Sequence, residues 1–379
     1  MVVLIASSYQ QMYVCEFKVK ACADQHQAID EAIRTAQFIR NKCLRLWMDV
    51  RGTGKAEMSA YCAVLAAKFP FVKTLNSMAR QASAERAWAA VSRFYDNCKK
   101  GIRPVGHPKF KKDARSVEYK TTGWKLLDPK HIQFTDGKGI GRLKLIGTWD
   151  LARVPKELIK RVRLMRRADG YYCQFLLGIE YRPKVPKTGE AIGLDVGLES
   201  FYTDSSGHKE PNPCFLRKGE EQLKLLQRRV SRKQKGSSNR CKARQRLARH
   251  HLKISRRREE HAKRLARSVI LSNDWVFYEN LQVRNLIRNH CLAKSIADAS
   301  WYQFRKWIEY FAWKFGKVAW PVNPAYTSQD CHHCGNRVVK ALSTRTHRCK
   351  CGTVIDRDEN AALNILSRGI EQYRRAAGN

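Results

Sequence analysis

Tyr13, Cys15, Phe17 and Val19 alternate with Val14, Glu16 and Lys18, a period of two that predicts a strand near the start of the chain. From Asp24 to Trp47 the period changes. Ile29, Ala32, Ala36, Ile39, Cys43 and Leu46 recur at steps of three and four, and Ala84, Ala87, Val91, Phe94 and Cys98 repeat the pattern within Arg80 to Lys99. Each face needs an apolar neighbour, so residues 24–100 read as a small helical bundle inserted after the first strand. Short strand-like runs return beyond Lys112, with turns at Asp136-Gly137 and Asp169-Gly170. The second turn separates VRLMRRA from YYCQFLLGIEY as a hairpin does. Residues 103–183 are therefore expected to complete a small barrel begun by the first strand, and the prolines and glycine of RPKVPKTGE (182–190) mark a linker.

A second fold begins at AIGLDVGLESFYTDSSG. Ala191 to Asp195 is too short an apolar run for a helix, and a strand over Glu199 to Asp204 turns at Ser205-Ser206-Gly207. WVFYENL (275–281) is another short strand, and Lys317 to Val322 a further one. Between them Trp301, Phe304, Ile308, Phe311 and Phe315 share one helix face, which reads as core rather than as a base-stacking platform. Strands alternating with helices give an α/β, multidomain fold class. Asp195 and Glu279 are out of character, because an acid at the end of an apolar strand is costly unless solvated, paired or metal-bound. Taken alone, each is explained slightly better as a residue capping a turn at a sheet edge.

Charge changes the picture more than length does. The chain has 379 residues, 43% hydrophobic and 28% charged, but 73 Lys and Arg face only 34 Asp and Glu, a formal net charge of +39. So strong a field repels itself in a compact fold and calls for a polyanionic partner. Nucleic acid, which releases counterions on binding, is the first candidate and a membrane surface the second. No apolar run reaches the roughly 18 residues of a membrane span, and MVVLIASSYQQ is too short and lacks the basic flank of a signal peptide. A cytoplasmic, nucleoid-associated protein is expected. The basic residues are densest from Arg217 to Arg267, with twenty Lys and Arg against four Glu. Leu223, Leu226 and Val230, then Leu247, Leu252, Leu265 and Val269, stripe this stretch as a helical hairpin. A solvated surface and a track for phosphates both fit, and the acidic residues nearby favour the track. GIRPVGHPKFKK (101–112) is a basic loop, equally readable as a plain linker.

Of thirteen cysteines, nine (Cys15, Cys22, Cys43, Cys62, Cys98, Cys173, Cys214, Cys241 and Cys291) lack motif spacing and read as small buried hydrophobes. The other four form two Gly-flanked knuckles: Cys331-x-x-Cys334 before Gly335, and Cys349-x-Cys351 before Gly352. Four soft thiolates suit a closed tetrahedral Zn²⁺, against the alternative of a reduced, metal-free loop. Asp356, Arg357 and Asp358 follow at once, opening the helix-forming run ENAALNIL. Asp195, Glu279 and Asp358 thus sit at the ends of three elements. Clustered acids of this kind could hold two hard cations for metal-assisted attack on a phosphodiester.

GLDVGLESFYTDSSG, VSRKQKGSSNRCKARQRLARHHLKI, YENL, TSQDCHHCG with HRCKCG, and DRDENAALNIL closely resemble the TnpB (OrfB) family of transposon-encoded, RNA-guided DNA endonucleases, relatives of compact type V CRISPR effectors. The likeness is specific over 191–366 and looser upstream, where GHPKFKK is similar to the family's G-x-P-x-F-K loop. It implies an RNase H-like RuvC nuclease domain (186–324 and 354–379) with a basic helical insertion (215–270) and an inserted zinc ribbon (325–353). It further implies a wedge β-barrel (1–23 and 101–185) with an inserted helical recognition domain (24–100). The family's catalytic, Mg²⁺-binding acids fall on Asp195, Glu279 and Asp358. Asp356 is a rival for the third place, but only Asp358 with Asn360, Ala361 and Ala362 satisfies D-x-N-A-A. The implied cofactors are two Mg²⁺ and a structural Zn²⁺ on Cys331, Cys334, Cys349 and Cys351, although the C-x-C knuckle departs from the commoner C-x-x-C. The implied partners are a guide RNA from the transposon end and target duplex DNA beside a short adjacent motif. Three rivals remain: a guide-directed DNA-binding repressor that no longer cuts, a transposase acting in strand transfer, and a type V CRISPR effector. Arg368 to Asn379 reads as a frayed basic tail.

Overall fold

The computed structural model describes residues 13–178, 182–341 and 343–378. The expectations for residues 1–12, including the lack of a signal peptide, lie outside them. The chain divides into one unit from Ala6 to Glu180 and another formed chiefly by Tyr181 to Asn379. No helix among the described residues is long and apolar enough to cross a membrane.

In the first unit β1 (Tyr13–Lys20) leads into α1 (Ala23–Asp49), α2 (Lys55–Lys68), α3 (Pro70–Lys73) and α4 (Ser77–Lys99). Six more strands follow: β2 (Ser116–Tyr119), β3 (Trp124–Asp128), β4 (His131–Phe134), β5 (Gly141–Ile146), β6 (Ile159–Arg167) and β7 (Gly170–Leu177). They form one antiparallel sheet in the order β2-β6-β7-β1-β5-β4-β3. The alternation seen in the sequence is the sheet's two-sidedness: Cys15, Phe17 and Val19 are buried while Val14, Lys18 and Lys20 are exposed. The Asp169-Gly170 hairpin forms as β6–β7, with Arg167 opposite Gly170. The helical faces form too, through Ile29, Ala32, Ala36, Ile39 and Cys43 on α1 and Ala84, Ala87 and Val91 on α4. The basic 101–112 stretch is not a free linker. Asn41 on α1 accepts from Lys111 N (2.9 Å) and donates to Lys111 O (2.8 Å), while Gln37 accepts from Ala114 N (2.6 Å).

The second unit contains β8 (Ala191–Asp195), β9 (Ser200–Asp204), β10 (Lys209–Pro211), α5 (Phe215–Lys218), α6 (Glu220–Ser231) and α7 (Ser238–Ser272). After these come β11 (Trp275–Glu279), α8 (Val283–Leu286), α9 (Ala293–Ala299), α10 (Trp301–Phe315) and β12 (Val318–Val322). The hairpin β13 (Thr346–Arg348) and β14 (Val354–Asp356) and the helix α11 (Arg357–Ala377) complete it. The sheet order is β10-β9-β8-β11-β12, with β8, β11 and β12 parallel, so β8 is central. Leu194, Val276 and Tyr278 pack with α7 and α10 residues such as Ala266, Ile270, Phe304, Ile308 and Phe311 on one face. Phe277 and Val322 pack with Ile365 of α11 on the other.

That second face admits the helix because two glycines let the backbones approach. A Cβ at Gly193 would lie 2.2 Å from the Ala362 carbonyl oxygen, and one at Gly369 would lie 2.2 Å from the Phe277 ring. Two expectations fail here. Arg368 to Ala377 is not a frayed tail but the second half of α11, where Ile370 and Tyr373 pack beside Trp320 on that core. Nor are the nine scattered cysteines uniformly buried: Cys15, Cys43, Cys62 and Cys173 are, whereas Cys22, Cys98, Cys241 and Cys291 are exposed. Cysteine on a strand or helix follows whichever face its position gives it.

Candidate active site

Strand parity decides where the acids point. Leu194 and Tyr278 face α7 and α10, and Leu194 is paired with Tyr278 in the parallel ladder. The next residues, Asp195 and Glu279, therefore both turn to the α11 face at the carboxyl ends of adjacent strands. Crevices of this kind are where open α/β sheets bind ligands. α11 starts above them, with Asp358 in its first turn. Burial, then the charges of Glu279 and Asp358 and, more weakly, of Asp356, push the Asp195 carboxyl well above its ordinary range, and Arg357 opposes the shift. Burial also raises Glu279, moderated by a hydrogen bond from Thr327 and by the Arg368 charge. A carboxyl raised by its acidic neighbours is under-neutralised by the chain, and hard oxygen donors of this kind fit a divalent cation such as Mg²⁺.

The two aspartates that compete for the third place have different duties. Asp356 is the N-cap of α11, accepting from Asp358 N (2.9 Å) and Glu359 N (3.2 Å), and it pairs with Lys209 Nζ at 2.7 Å. Against the cost of burial, Lys209 and those two N–H groups hold Asp356 below the usual carboxylate range. Among the described hydrogen bonds Asp358 makes no capping bond. Its oxygens meet the Arg357 guanidinium at 2.8 Å and Arg345 at 3.4 Å, and Arg345 also pairs with Glu199 at 2.7 Å.

The four knuckle cysteines come together, all four Sγ atoms within 4.8 Å of one another. Cys331 and Cys351 are 3.7 Å apart and Cys334 and Cys349 3.5 Å apart. Tetrahedral bonds of about 2.3 Å require S–S edges of about 3.8 Å, so the donor set fits Zn²⁺. Tight turns build each knuckle, with Gly335 N donating to Cys331 O (2.8 Å) and Gly352 N to Cys349 O (3.1 Å). Burial opposes ionisation of Cys331, but the N–H groups of Cys334 and His333 and the side chains of His347 and Thr353 bring its thiol to about 6. The Thr353 hydroxyl and N–H bring Cys351 to about 6 as well.

Sequence reasoning missed the residues that hold these groups. Thr327, 4% exposed, donates to Glu279 Oε1 at 2.6 Å. Asn364 Nδ2 donates to Thr327 O (2.8 Å) and Asp330 O (2.6 Å), and Asn360 Nδ2 to Asp330 O (2.8 Å). The one available signal was their spacing: Asn360, Asn364 and Arg368 share one helix stripe at steps of four. Basic residues also gather away from the acids. The α6–α7 hairpin lines a cleft with Arg229, Lys233, Lys242 and Arg246, and in the first unit Arg40, Arg86, Arg93 and Arg115 line another.

An α/β protein with acids at the carboxyl ends of central parallel strands and a thiol cluster ahead of its last helix defines the class. Comparison with known proteins agrees in both parts. Residues 174–290 match the OrfB family of "Probable transposase" proteins, and residues 301–365 match the Cas12f1-like TNB domain. Residues 174–290 thus carry the OrfB match and 301–365 a Cas12f1-like one, and the likeness read from the motifs holds over these stretches. A "Putative RNA-guided DNA endonuclease" of Streptomyces pristinaespiralis is 41% identical over 206 residues, 54% of this chain and 51% of the relative. A similarly named Escherichia coli K12 protein, InsQ, is 28% identical over 281 residues, 69% of this chain and 68% of the relative. The chain therefore spans about half the length of the first relative and two thirds of the second. Among solved structures, Cas12f1 in its sgRNA–target DNA complex aligns with TM-score 0.56 at 14% identity, covering 91% of this chain and 83% of that one. CRISPR-Cas_phi3, described as a mini-RNA-guided endonuclease, aligns with TM-score 0.57 at 9% identity, covering 95% and 92%. These alignments establish a mixed α/β fold shared with compact effectors.

Proposed function

We propose that the protein is an RNA-guided DNA endonuclease that cleaves target DNA beside a short adjacent motif at a single RuvC-type site. The guide RNA would come from a transposon end. The observation that carries this reading is that the charges of Glu279, on the adjacent parallel strand, and of Asp358, at the start of α11, act on Asp195, in a chain whose net charge is +39. In it the second unit is the nuclease domain with a zinc ribbon, and the seven-stranded sheet with its inserted helices is the wedge barrel and recognition domain.

Asp195, Glu279 and Asp358 would hold two Mg²⁺, which when bound activate an attacking water and offset charge on the leaving 3′ oxygen. The chain does the rest. α11 and the two strands fix the three carboxylates in one frame, while Arg345 and Arg357 supply positive charge beside Asp358, where a phosphate would enter. The basic α6–α7 hairpin and the Arg-lined cleft of the first unit offer backbone contacts without reading sequence, which suits recognition delegated to base pairing. Cys331, Cys334, Cys349 and Cys351 would hold the ribbon's Zn²⁺.

The test is cleavage of a target plasmid by the purified protein with the RNA that copurifies with it. Wild type should cut in a guide- and Mg²⁺-dependent manner, and Asp195→Ala should bind the target without cutting. Cutting by Asp195→Ala would overturn the site, and cutting that survives RNase treatment would overturn guidance by RNA.

A further inference from the structure

Glu279 is the only one of the three acids whose carboxylate is held by an uncharged side chain among the described hydrogen bonds. The Thr327 hydroxyl that holds it at 2.6 Å belongs to a loop, not to the sheet, so its place must be fixed by something else. Three residues on one stripe of α11 supply that fixing. Asn364 bonds the Thr327 and Asp330 carbonyls, Asn360 bonds the Asp330 carbonyl (2.8 Å) and accepts from His332 N (3.1 Å), and Arg368 bonds Ala325 O (2.7 Å) and the Asp330 carboxylate (2.6 Å). Asn360 is fully buried and Asn364 nearly so. Burying two amides costs free energy unless their bonds are made, and here every bond from their Nδ2 atoms goes to the one segment that carries Thr327.

We propose that Thr327 is a positioning residue for Glu279, and that Asn360, Asn364 and Arg368 form a seam that sets Thr327 from the same helix that carries Asp358. This rests on the acid cluster being a divalent-cation site, as proposed above. The geometry has a definite consequence. A carboxylate at a strand end can rotate about its side-chain bonds, and a donor on one oxygen leaves the other directed at the crevice. Partners of ligating carboxylates act in this way, and their loss typically weakens metal binding roughly 10- to 100-fold. Because α11 also contributes Asp358, one rigid helix sets two of the three acids.

The experiment titrates the full-length, zinc-loaded protein with Mn²⁺, following free Mn²⁺ by electron paramagnetic resonance, and records the melting temperature of each variant. Thr327→Val keeps shape but removes the donor and should weaken Mn²⁺ binding at least about 10-fold. Thr327→Ser keeps the hydroxyl and should restore binding to near wild type. Asn364→Ala, remote from the acids, should weaken binding several-fold by the same route and keeps the proposal open to refutation if Thr327→Val does not fold. Asp195→Ala is the control. Wild-type affinity in Thr327→Val or in Asn364→Ala, with Asp195→Ala weakened, overturns the positioning role and leaves the metal site standing. Wild-type affinity in Asp195→Ala removes the metal site itself.

Discussion

Glu118 in the first unit and Asp195 in the second are both carboxylates set in a sheet, yet their surroundings push them in opposite directions. Glu118, 4% exposed on β2, meets Arg161 at 2.5 Å and Arg163 at 2.6 Å across the β2–β6 ladder. Burial opposes its ionisation, but those two arginines hold it below the usual carboxylate range. Among the described ion pairs Asp195 has no such partner. Burial and three acidic neighbours, Glu279, Asp358 and Asp356, raise it, and the guanidinium that opposes them, Arg357, bonds Asp358 instead. Glu118 is an acid whose charge two arginines match within the sheet, and its role is structural. One whose neighbours deepen the mismatch is a candidate for function, because the missing positive charge must come from a ligand.

The comparison breaks most readily at Asp195. Asp195→Ala should lower cleavage by at least roughly 10³-fold, since losing an ion-binding carboxylate forfeits several kcal/mol of transition-state stabilisation. Its melting temperature without added divalent ions should equal or exceed that of wild type, because the substitution relieves like-charge repulsion. A large loss of stability would mean that the acid cluster is structural after all.

Next in size is the thiol cluster, a third arrangement in which four soft donors crowd together within 4.8 Å. Cys331→Ser with Cys334→Ser should abolish bound zinc, measured by atomic absorption, and lower the thermal stability of the protein, since binding free energy at such sites is largely folding free energy. Cleavage should fall with it, because Cys331 follows directly on the segment that carries Thr327 and Asp330. Unchanged cleavage would separate the ribbon from the acids.

Glu118→Gln should act in the reverse sense to Asp195→Ala. It leaves two arginines without their carboxylate and should destabilise the protein by about 1–2 kcal/mol, a figure discounted because both arginines are partly exposed. The sign with pH follows from the depressed folded-state pKa. The ion pairs contribute fully above the unfolded value of about 4.3, and that contribution is lost as pH falls through the folded value. The gap in stability between wild type and Glu118→Gln should therefore be widest near neutrality and close in acid, measured by urea melts across that range.

Much of this was legible because strand and helix periods are strong signals. The alternation in YVCEFKVK and the four-step faces of α1 and α4 each follow from one face being buried, and the short apolar strands ending at Asp195 and Glu279 from cover on both faces. Parity alone would have put both acids on one side once β8 and β11 were known to be parallel neighbours. What the local pattern could not supply was tertiary. Thr327 lies in an irregular segment with no period, and it acquires meaning only when β11 brings Glu279 to within 2.6 Å. Arg345 comes from the ribbon, 13 residues before Asp358, and only the fold makes them neighbours. The end of α11 was misread as a tail because RRAAGN looks polar, although Ile370 and Tyr373 continue the helix's apolar stripe onto Trp320.

The smallest expected effect bears on the two aspartates flanking Arg357. If each side chain does what its hydrogen bonds allow, Asp356 is occupied as a cap and Asp358 is the acid offered to the crevice. Asp356→Ala removes a cap on two N–H groups and a pair with Lys209 that is partly exposed, so it should cost about 1 kcal/mol of stability. It should leave most of the cleavage rate in place, because both functions act on the helix start, and the Asp356 charge that reaches Asp195 ranks behind those of Glu279 and Asp358. Asp358→Asn should do the reverse, sparing the cap and the melting temperature while cleavage falls as it does for Asp195→Ala. Measuring melting temperature and cleavage for both variants separates the two assignments. If Asp356→Ala instead stops cleavage without loss of stability, the two residues exchange roles and α11 presents its acid from the cap position.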